Sequence, residues 1–426
     1  MKIKYSTILK ALVEVMLIMK LGFVKLLGSW ISMFASAYDT YPECILYLIM
    51  TIICVLLAFG ISKERVGVYL KFELGVVLVI VVAGIIHGLK WNNMELMAAI
   101  STALPFVYLF LAYPIYVLLK RKYWTIDEMF NFLLFWGTMA YMLKIINCAS
   151  WYFTGQVVWE NLISNANWIL NGSLRINPPC MGLLIIPISY YMFINQNGKK
   201  RRKKYLLPII VALVYSAVVH QARSILLYQI ITLVAMSVFE RVSSKRKFIR
   251  YCILIIAAIL VINTSFFDSF VNSFSPDNSV SGQSTVARIN AIVLFASKYA
   301  SHPFWGMGFL SDAEKTVGAI GSGMGHLDDI GILGSFFMLG IPLLLLVILI
   351  VGRSLYVSYK IRKEYYNFSL LLFGMSMILL VTGINISWFN GIYAFAIPFY
   401  LGIVEYIKKN TNYTFINYEN NYNELI

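Results

Sequence analysis

Charge is what this chain has least of. Asp, Glu, Lys and Arg make up only 13% of its 426 residues, whereas 60% are hydrophobic. With a mean hydropathy of +0.75, that balance excludes a soluble globular domain and calls for a polytopic membrane protein. Cysteine is also scarce, and none of the five has metal-ligand spacing, so no metal site is expected. Cys54 and Cys252 fall in apolar runs; a Cys148–Cys180 bridge is geometrically open, but the spacing does not demand it. The N-terminus lacks a clean apolar core followed by a small-residue cleavage site, which argues against a removable signal peptide. No internal repeat or low-complexity tract is present. The GSGMG tract has no strand–turn–helix around it and is therefore not a nucleotide-binding loop.

What remains is organised by apolar runs long enough to cross about 30 Å of hydrocarbon. They lie near 45–61, 71–88, 94–118, 129–149, 177–195, 205–220, 223–240, 250–267, 331–352, 367–386 and 390–407. The segment 6–27 carries Lys10, Glu14, Lys20 and Lys25. It reads either as a twelfth span or as an interfacial amphipathic helix, and parity favours the span. The expected fold class is thus all-α, a polytopic membrane helical bundle of 11–12 transmembrane helices. Residues 1–44 form its first segment, 45–263 and 331–409 its helical bundle, and 410–426 a polar, disordered cytoplasmic tail.

The net charge of +15 invites a nucleic-acid reading, which the distribution of charge rejects. Basic residues form short clusters between apolar runs: six in KKRRKK at 199–204, five in RVSSKRKFIR at 241–250 and four in RSLYVSYKIRK at 353–363. Alternate loops are nearly bare of positive charge. The positive-inside rule therefore places the KKRRKK loop in the cytoplasm. Two long segments then fall outside: 150–176, with Trp151, Trp159 and Trp168 suited to an aromatic belt, and 264–330, the one sizeable extracytoplasmic loop. Within that loop a helix is expected from Ser284, with Val286, Ile289, Val293 and Ala296 on its apolar face, ended by Pro303.

Against this pattern, Arg175, Arg223 and Arg288 all fall outside. Guanidinium groups grip phosphate oxygens as a fork, so isolated arginines beside apolar spans point to an anionic head group such as a lipid pyrophosphate. Each also has a structural alternative: interfacial snorkelling for Arg175, a solvated helix face for Arg288. Arg223 opens a span, and Lys144 lies within one, where a charge is a functional hypothesis by default. All four histidines fall at outer positions. His87 reads as a helix cap and His302, before Pro303, as structural. His220 sits in the tight hairpin before Gln221-Ala222-Arg223. His326 follows a glycine-rich tract and precedes Asp328 and Asp329; an imidazole oriented by a carboxylate is the usual general base, and a solvated loop histidine is the alternative. Asp328 and Asp329 are adjacent rather than spaced for joint metal coordination.

Three stretches then resemble one family in sequence order. ARSILLYQIITL at 222–233 is similar to the arginine–serine opening of a central span in the O-antigen ligase/polymerase superfamily (Wzy-type repeat-unit polymerases and WaaL-type ligases). ARINAIVLFASKYASHPFWGMGF at 287–309 is similar to its loop arginine helix and His-Pro-x-x-Gly-x-Gly turn. GHLDDIGILGSFFMLGI at 325–341 resembles its re-entry into the membrane. The resemblance implies a GT-C-like, metal- and cofactor-independent glycosyltransferase in the cytoplasmic (inner) membrane, with its active site on the extracytoplasmic side. It would transfer a glycan from undecaprenyl pyrophosphate to a hydroxyl of a lipid-linked repeat unit in capsule, exopolysaccharide or O-antigen biosynthesis. Arg223, Arg288 and, by position, Arg175 would hold the pyrophosphate. His326 would act on the acceptor hydroxyl, helped by Asp329, while Lys144, His220 and Asp328 stand as additional candidates. The stretch His326-Leu327-Asp328-Asp329 resembles polymerases more than ligases and leaves Asp329 as the alternative acceptor-side group. Undecaprenyl-pyrophosphate-linked oligosaccharides would be the substrates, with a chain-length regulator left open as a protein partner. A ligase acting on another surface acceptor, or a lipid-linked oligosaccharide flippase, is the alternative; flippases generally have short loops and related halves.

Overall fold

The computed structural model describes residues 4–27, 41–62, 67–159, 168–170, 173–195, 203–221, 223–241, 282–317, 325–389, 391 and 393–423. Among the described residues the chain is helical, apart from two short antiparallel hairpins. The helices are α1 (Tyr5–Lys20), α2 (Tyr41–Ile61), α3 (Val68–Trp91), α4 (Leu96–Val107), α5 (Ala112–Lys120), α6 (Ile126–Thr154) and α7 (Gly182–Asn195). They continue as α8 (Leu206–Val214), α9 (Arg223–Phe239), α10 (Gly282–Tyr299), α11 (Asp312–Lys315), α12 (Gly331–Ile361), α13 (Tyr366–Thr382) and α14 (Ile397–Asn423). One hairpin pairs β1 (Trp168–Leu170) with β2 (Ser173–Arg175), the other β3 (Thr316–Val317) with β4 (Gly325–His326).

Five apolar stretches among the described residues are long enough to cross a membrane by length and composition: Pro42–Ile61, Val68–Trp91, Leu96–Lys120, Ile126–Thr154 and Leu327–Ile361. Four further apolar helices are shorter. Large apolar side chains remain uncovered on α2 (Ile49, Ile52, Leu56, Phe59) and α3 (Leu78, Val79, Val82, Ile86). In water such faces would aggregate; in hydrocarbon they are the solvent-facing surface. This is a helical protein built for a membrane. The expected run at 250–267 lies outside the described residues, as does Cys252.

Local chemistry sets the helix limits. Thr125 caps α6: its hydroxyl accepts from the Glu128 N–H, and the Glu128 carboxylate accepts from the Thr125 N–H at 3.1 Å. This reciprocal box satisfies two otherwise orphaned donors. Gly155, at φ 71°, ends the helix in the left-handed cap that glycine adopts without a Cβ penalty. The bundle centre is residues 103–119, where α4 passes through a tight turn, Tyr108–Leu111, into α5 with nearly every side chain buried. Helix α14 packs on it closely enough that a Cβ on Gly402 would come within 2.7 Å of Ile115. Helix α1 buries Leu9, Val13, Met16 and Leu17 on one face and packs against α2. The last helix continues to Asn423, through the stretch where the sequence suggested a disordered tail; a helix already nucleated by packing extends at little further cost.

The expected face of the loop helix needs correction. Helix α10 exists, but its buried face is Ala287, Ala291 and Phe295, while Ile289 is 50% and Val293 67% exposed. Two alanines let it approach the His326 segment, against which it packs; backbone fit, rather than side-chain size, chose the face. Cys148 and Cys180 are free thiols, with the Cys148 Sγ–H directed at the Leu174 carbonyl.

At most roughly 33 Å along α12 from Gly331, at 1.5 Å rise per residue, Arg353 is buried between two carboxylates. Its guanidinium donates to Glu73 Oε2 of α3 and Glu405 Oε2 of α14. Glu405 Oε1 accepts the Gly67 N–H at 2.8 Å. Sequence reading counted Arg353 as an ordinary loop charge and did not single out either glutamate. Removing one partner of a buried charge cluster leaves the others desolvated and unpaired, at a cost of about 3–5 kcal/mol. Arg353→Leu is therefore expected to lower the unfolding midpoint in detergent markedly, and adding Glu73→Gln to recover part of it. An unchanged midpoint in Arg353→Leu would show that the cluster holds nothing together.

Candidate functional site

The site depends on a break in α12. Gly340 sits at φ 62° inside this helix, just before Pro342. A proline has no N–H and excludes the carbonyl one turn back, so carbonyls near the break lose their helical partners. The segment Phe304–Phe309 supplies new ones. Met307 N–H donates to Phe337 O at 2.9 Å, Gly308 N–H to Met338 O at 2.8 Å, and Ile341 N–H to Phe304 O at 2.9 Å. The Asn92 side-chain amide donates to the carbonyls of Met307 and Phe309. Gly306, at φ 74°, passes so close that a Cβ would lie 2.4 Å from Met338 O. Beside this anchor, His87 stacks on Trp91 at 3.8 Å and Trp91 on His302 at 4.1 Å. The expected helix cap at His87 is thus a ring stack, and both histidines serve to fasten the loop.

With the loop fastened, α10 lies against β4 and the single 3-10 turn Leu327–Ile330. Asp329 is in that turn and is exposed, while Leu327 and Ile330 are buried. The charges of His326, Arg288, Asp328 and Arg175 all act on its carboxylate. Arg288 also reaches Tyr228 of α9 electrostatically. The Arg288 Nε is buried without a hydrogen-bond partner, an unusual state for a donor that is costly to desolvate. On the neighbouring residues, Asp328 Oδ2 lies 3.8 Å from Lys315 Nζ and 3.8 Å from His326 Nδ1.

Arg175 arrives from the β1–β2 hairpin. Its Nε–H donates to the His220 carbonyl at 2.7 Å. The His220 ring Nδ1 in turn lies 3.2 Å from Ile176 O, so the neutral ring carries its proton there. Tyr215 donates its hydroxyl to the carbonyls of Ile176 and Asn177, and Lys144 Nζ donates to Asn177 O at 2.7 Å. A π-turn at Tyr215–Val219 and Gln221 at φ 51° shape the hairpin that brings His220 there. Burial lowers the Arg175 pKa from its ordinary value, and the charges of Asp329 and Tyr215 oppose that shift. Burial, and then the Arg175 charge, pull the His220 ring down to about 4.

Of the candidates read from sequence, Arg175, Arg288, His326, Asp328 and Asp329 therefore share one neighbourhood. His220 and Lys144 stand one step behind it, holding the strand that carries Arg175. Arg223 begins α9, and its side chain lies outside the described residues, as does most of the glycine-rich tract before His326. A narrow cavity is walled by Tyr141, Pro178, Gly182, Ile225, Gln229 and Tyr393. Sequence reading passed over Tyr215 and Gln229; polar side chains in the middle of apolar runs were the available signal. No group of three potential metal ligands gathers among the described residues. No protein-family model matches the chain, and no curated protein matches it in sequence.

His220 makes the clamp acid-sensitive. Its folded pKa of about 4 lies below the ordinary 6.5, so the unfolded chain takes up a proton first as pH falls. The stability it contributes is complete above about 6.5 and is lost on the way down to about 4. Thermal midpoints in detergent should fall over that range, and less steeply in His220→Gln; parallel curves for the two proteins would count against a neutral, clamped imidazole.

Proposed function

We propose that this protein is a polysaccharide repeat-unit polymerase of the cytoplasmic membrane, working at its extracytoplasmic face. It takes a glycan from undecaprenyl pyrophosphate and places it on a hydroxyl of a lipid-linked repeat unit. The observation that carries this reading is the convergence of Arg175 and Arg288 on Asp329 and His326. These groups come from a hairpin, a loop helix and the mouth of α12, and they meet at one end of a bundle of apolar helices.

The chemistry that such a cluster suits is departure of a diphosphate. As the sugar–phosphate bond breaks, negative charge grows on the leaving oxygens, and guanidinium groups already in place stabilise it without reorganisation. The unsatisfied Arg288 Nε is a donor in need of an acceptor, which a phosphate oxygen would supply. Asp329 lies among the same cations, where a carboxylate could take the proton of the attacking hydroxyl. The apolar flanks of the bundle suit a polyprenyl tail. In this reading the region at 264–330 is the extracytoplasmic loop and the bundle is GT-C-like, with Arg223 as a third diphosphate ligand.

Alanine at Arg288, Arg175 or Arg223 should leave membrane insertion intact and slow elongation by roughly 10²–10³-fold, so that single-repeat lipid-linked units accumulate. Lysine at Arg288 or Arg223 should restore only part of the rate, because a point charge cannot reproduce the fork. Chain-length ladders of normal extent in the Arg288→Ala and Arg175→Ala proteins would refute the diphosphate role. Loss of lipid-linked units from the extracytoplasmic leaflet, with polymerisation of supplied units intact, would favour a flippase.

A further inference from the structure

The ring of His326 is held in an orientation that sets which of its nitrogens carries the proton. His326 is the residue that caps the turn Leu327–Ile330, in extended conformation at φ −122° and ψ 139°. Its backbone is fixed by pairing with Thr316 across β3 and β4. Its Nδ1 accepts the backbone N–H of Asp328 at 3.2 Å. A nitrogen that accepts an N–H must present its lone pair, so in the neutral ring the proton resides on Nε2. The carboxylate that might have reversed this arrangement stands off: Asp328 Oδ2 is 3.8 Å from Nδ1, beyond hydrogen-bonding distance, and as near to Lys315 Nζ. Among the described residues, Asp328 lies beside the ring with Lys315 as its other neighbour, and His326, Arg288 and Arg175 act together on the charge of Asp329.

We infer that His326 serves glycosyl transfer as an Nε2–H hydrogen-bond donor to a diphosphate oxygen, not as the base, and that the Asp329 carboxylate receives the proton. This rests on the polymerase reading. In the step, the acceptor hydroxyl oxygen forms a bond to the anomeric carbon. The bond from that carbon to the phosphate oxygen breaks, its electron pair leaving with undecaprenyl pyrophosphate. The hydroxyl proton passes to Asp329, while His326 keeps its own and donates its hydrogen bond to the charge that develops. A ring used as a base would need a lone pair on Nε2, and obtaining one means surrendering the Asp328 N–H.

Two amide substitutions separate the roles. Glutamine places an N–H near the position of Nε2 and cannot take up a proton. Asparagine retains an acceptor near Nδ1, and with it the cap, but lacks the distal donor. With full-length protein in lipid nanodiscs and a synthetic undecaprenyl-diphosphate-linked repeat unit, ladder formation by His326→Gln should stay within about tenfold of wild type. His326→Asn and His326→Ala should lose about 100-fold or more. Rescue by Asn and not by Gln would reduce His326 to a cap; equal loss in Gln and Ala, or full activity in Ala, would also overturn the donor role. Nitrogen NMR of labelled histidine reads the ring directly, since the chain has only four histidines and the His326 signals vanish in His326→Ala. A protonated Nε2 and bare Nδ1 are expected, and the reverse tautomer overturns the inference. A wild type that makes no ladder would sink the polymerase reading and the donor role with it, and the NMR result would still show whether the ring assignment was correct.

Discussion

A broken helix and the segment that mends it are the constraint on which this structure rests. Backbone N–H and C=O groups inside an apolar bundle have no water to turn to, and each one left unpaired costs several kcal/mol. Helix α12 breaks at Gly340 nonetheless, and the segment Phe304–Phe309 takes up the freed groups. That repair determines where the chain can go on either side. Upstream it fixes the end of α10 and so the position of Arg288; downstream it leaves the mouth of α12, with Asp329, against α10. Glycines stand at Gly306, Gly308 and Gly340 because the backbones touch there and each has positive φ.

Arg353, which is buried, and Arg288, which is half-buried, differ in how well they are satisfied. Arg353 has two carboxylates, and Gly67 binds the far oxygen of one of them. Such a cluster joins α3, α12 and α14. Arg288 acts together with Arg175 and His326 on the Asp329 carboxylate, and its Nε has no acceptor. The clamp on Arg175 adds preorganisation: four hydrogen bonds from Tyr215, His220 and Lys144 hold the carbonyls of the two residues that follow it.

How much was legible in advance differed between levels. Apolar runs translated into helices because length and hydrophobicity alone decide whether a segment can cross hydrocarbon. The glycine turn after Pro303 and the arginine of the loop helix were visible as residues. The face of α10 was not, since Ile289 and Val293 look like core and Ala287 and Ala291 do not; close approach favours small residues, and only the neighbour reveals the approach. Lys144 read as a candidate ligand because a charge within a span is rare, yet its ammonium is occupied by the Asn177 carbonyl. The Arg353 cluster escaped notice for a related reason: Glu73 lies 280 residues and Glu405 52 residues from Arg353 in sequence, and nothing local marks any of them as a partner of another.

By itself, the sequence determined the membrane character and the helical class, because these follow from transfer free energy, which is a property of each segment alone. Tertiary structure decided which of the candidate residues meet, which nitrogen of His326 faces a backbone amide, and which cations are already taken. Those outcomes depend on hydrogen bonds and charge pairs between segments far apart in the chain, and such pairs exist only once the break at Gly340 and the loop segment that mends it have fixed the geometry.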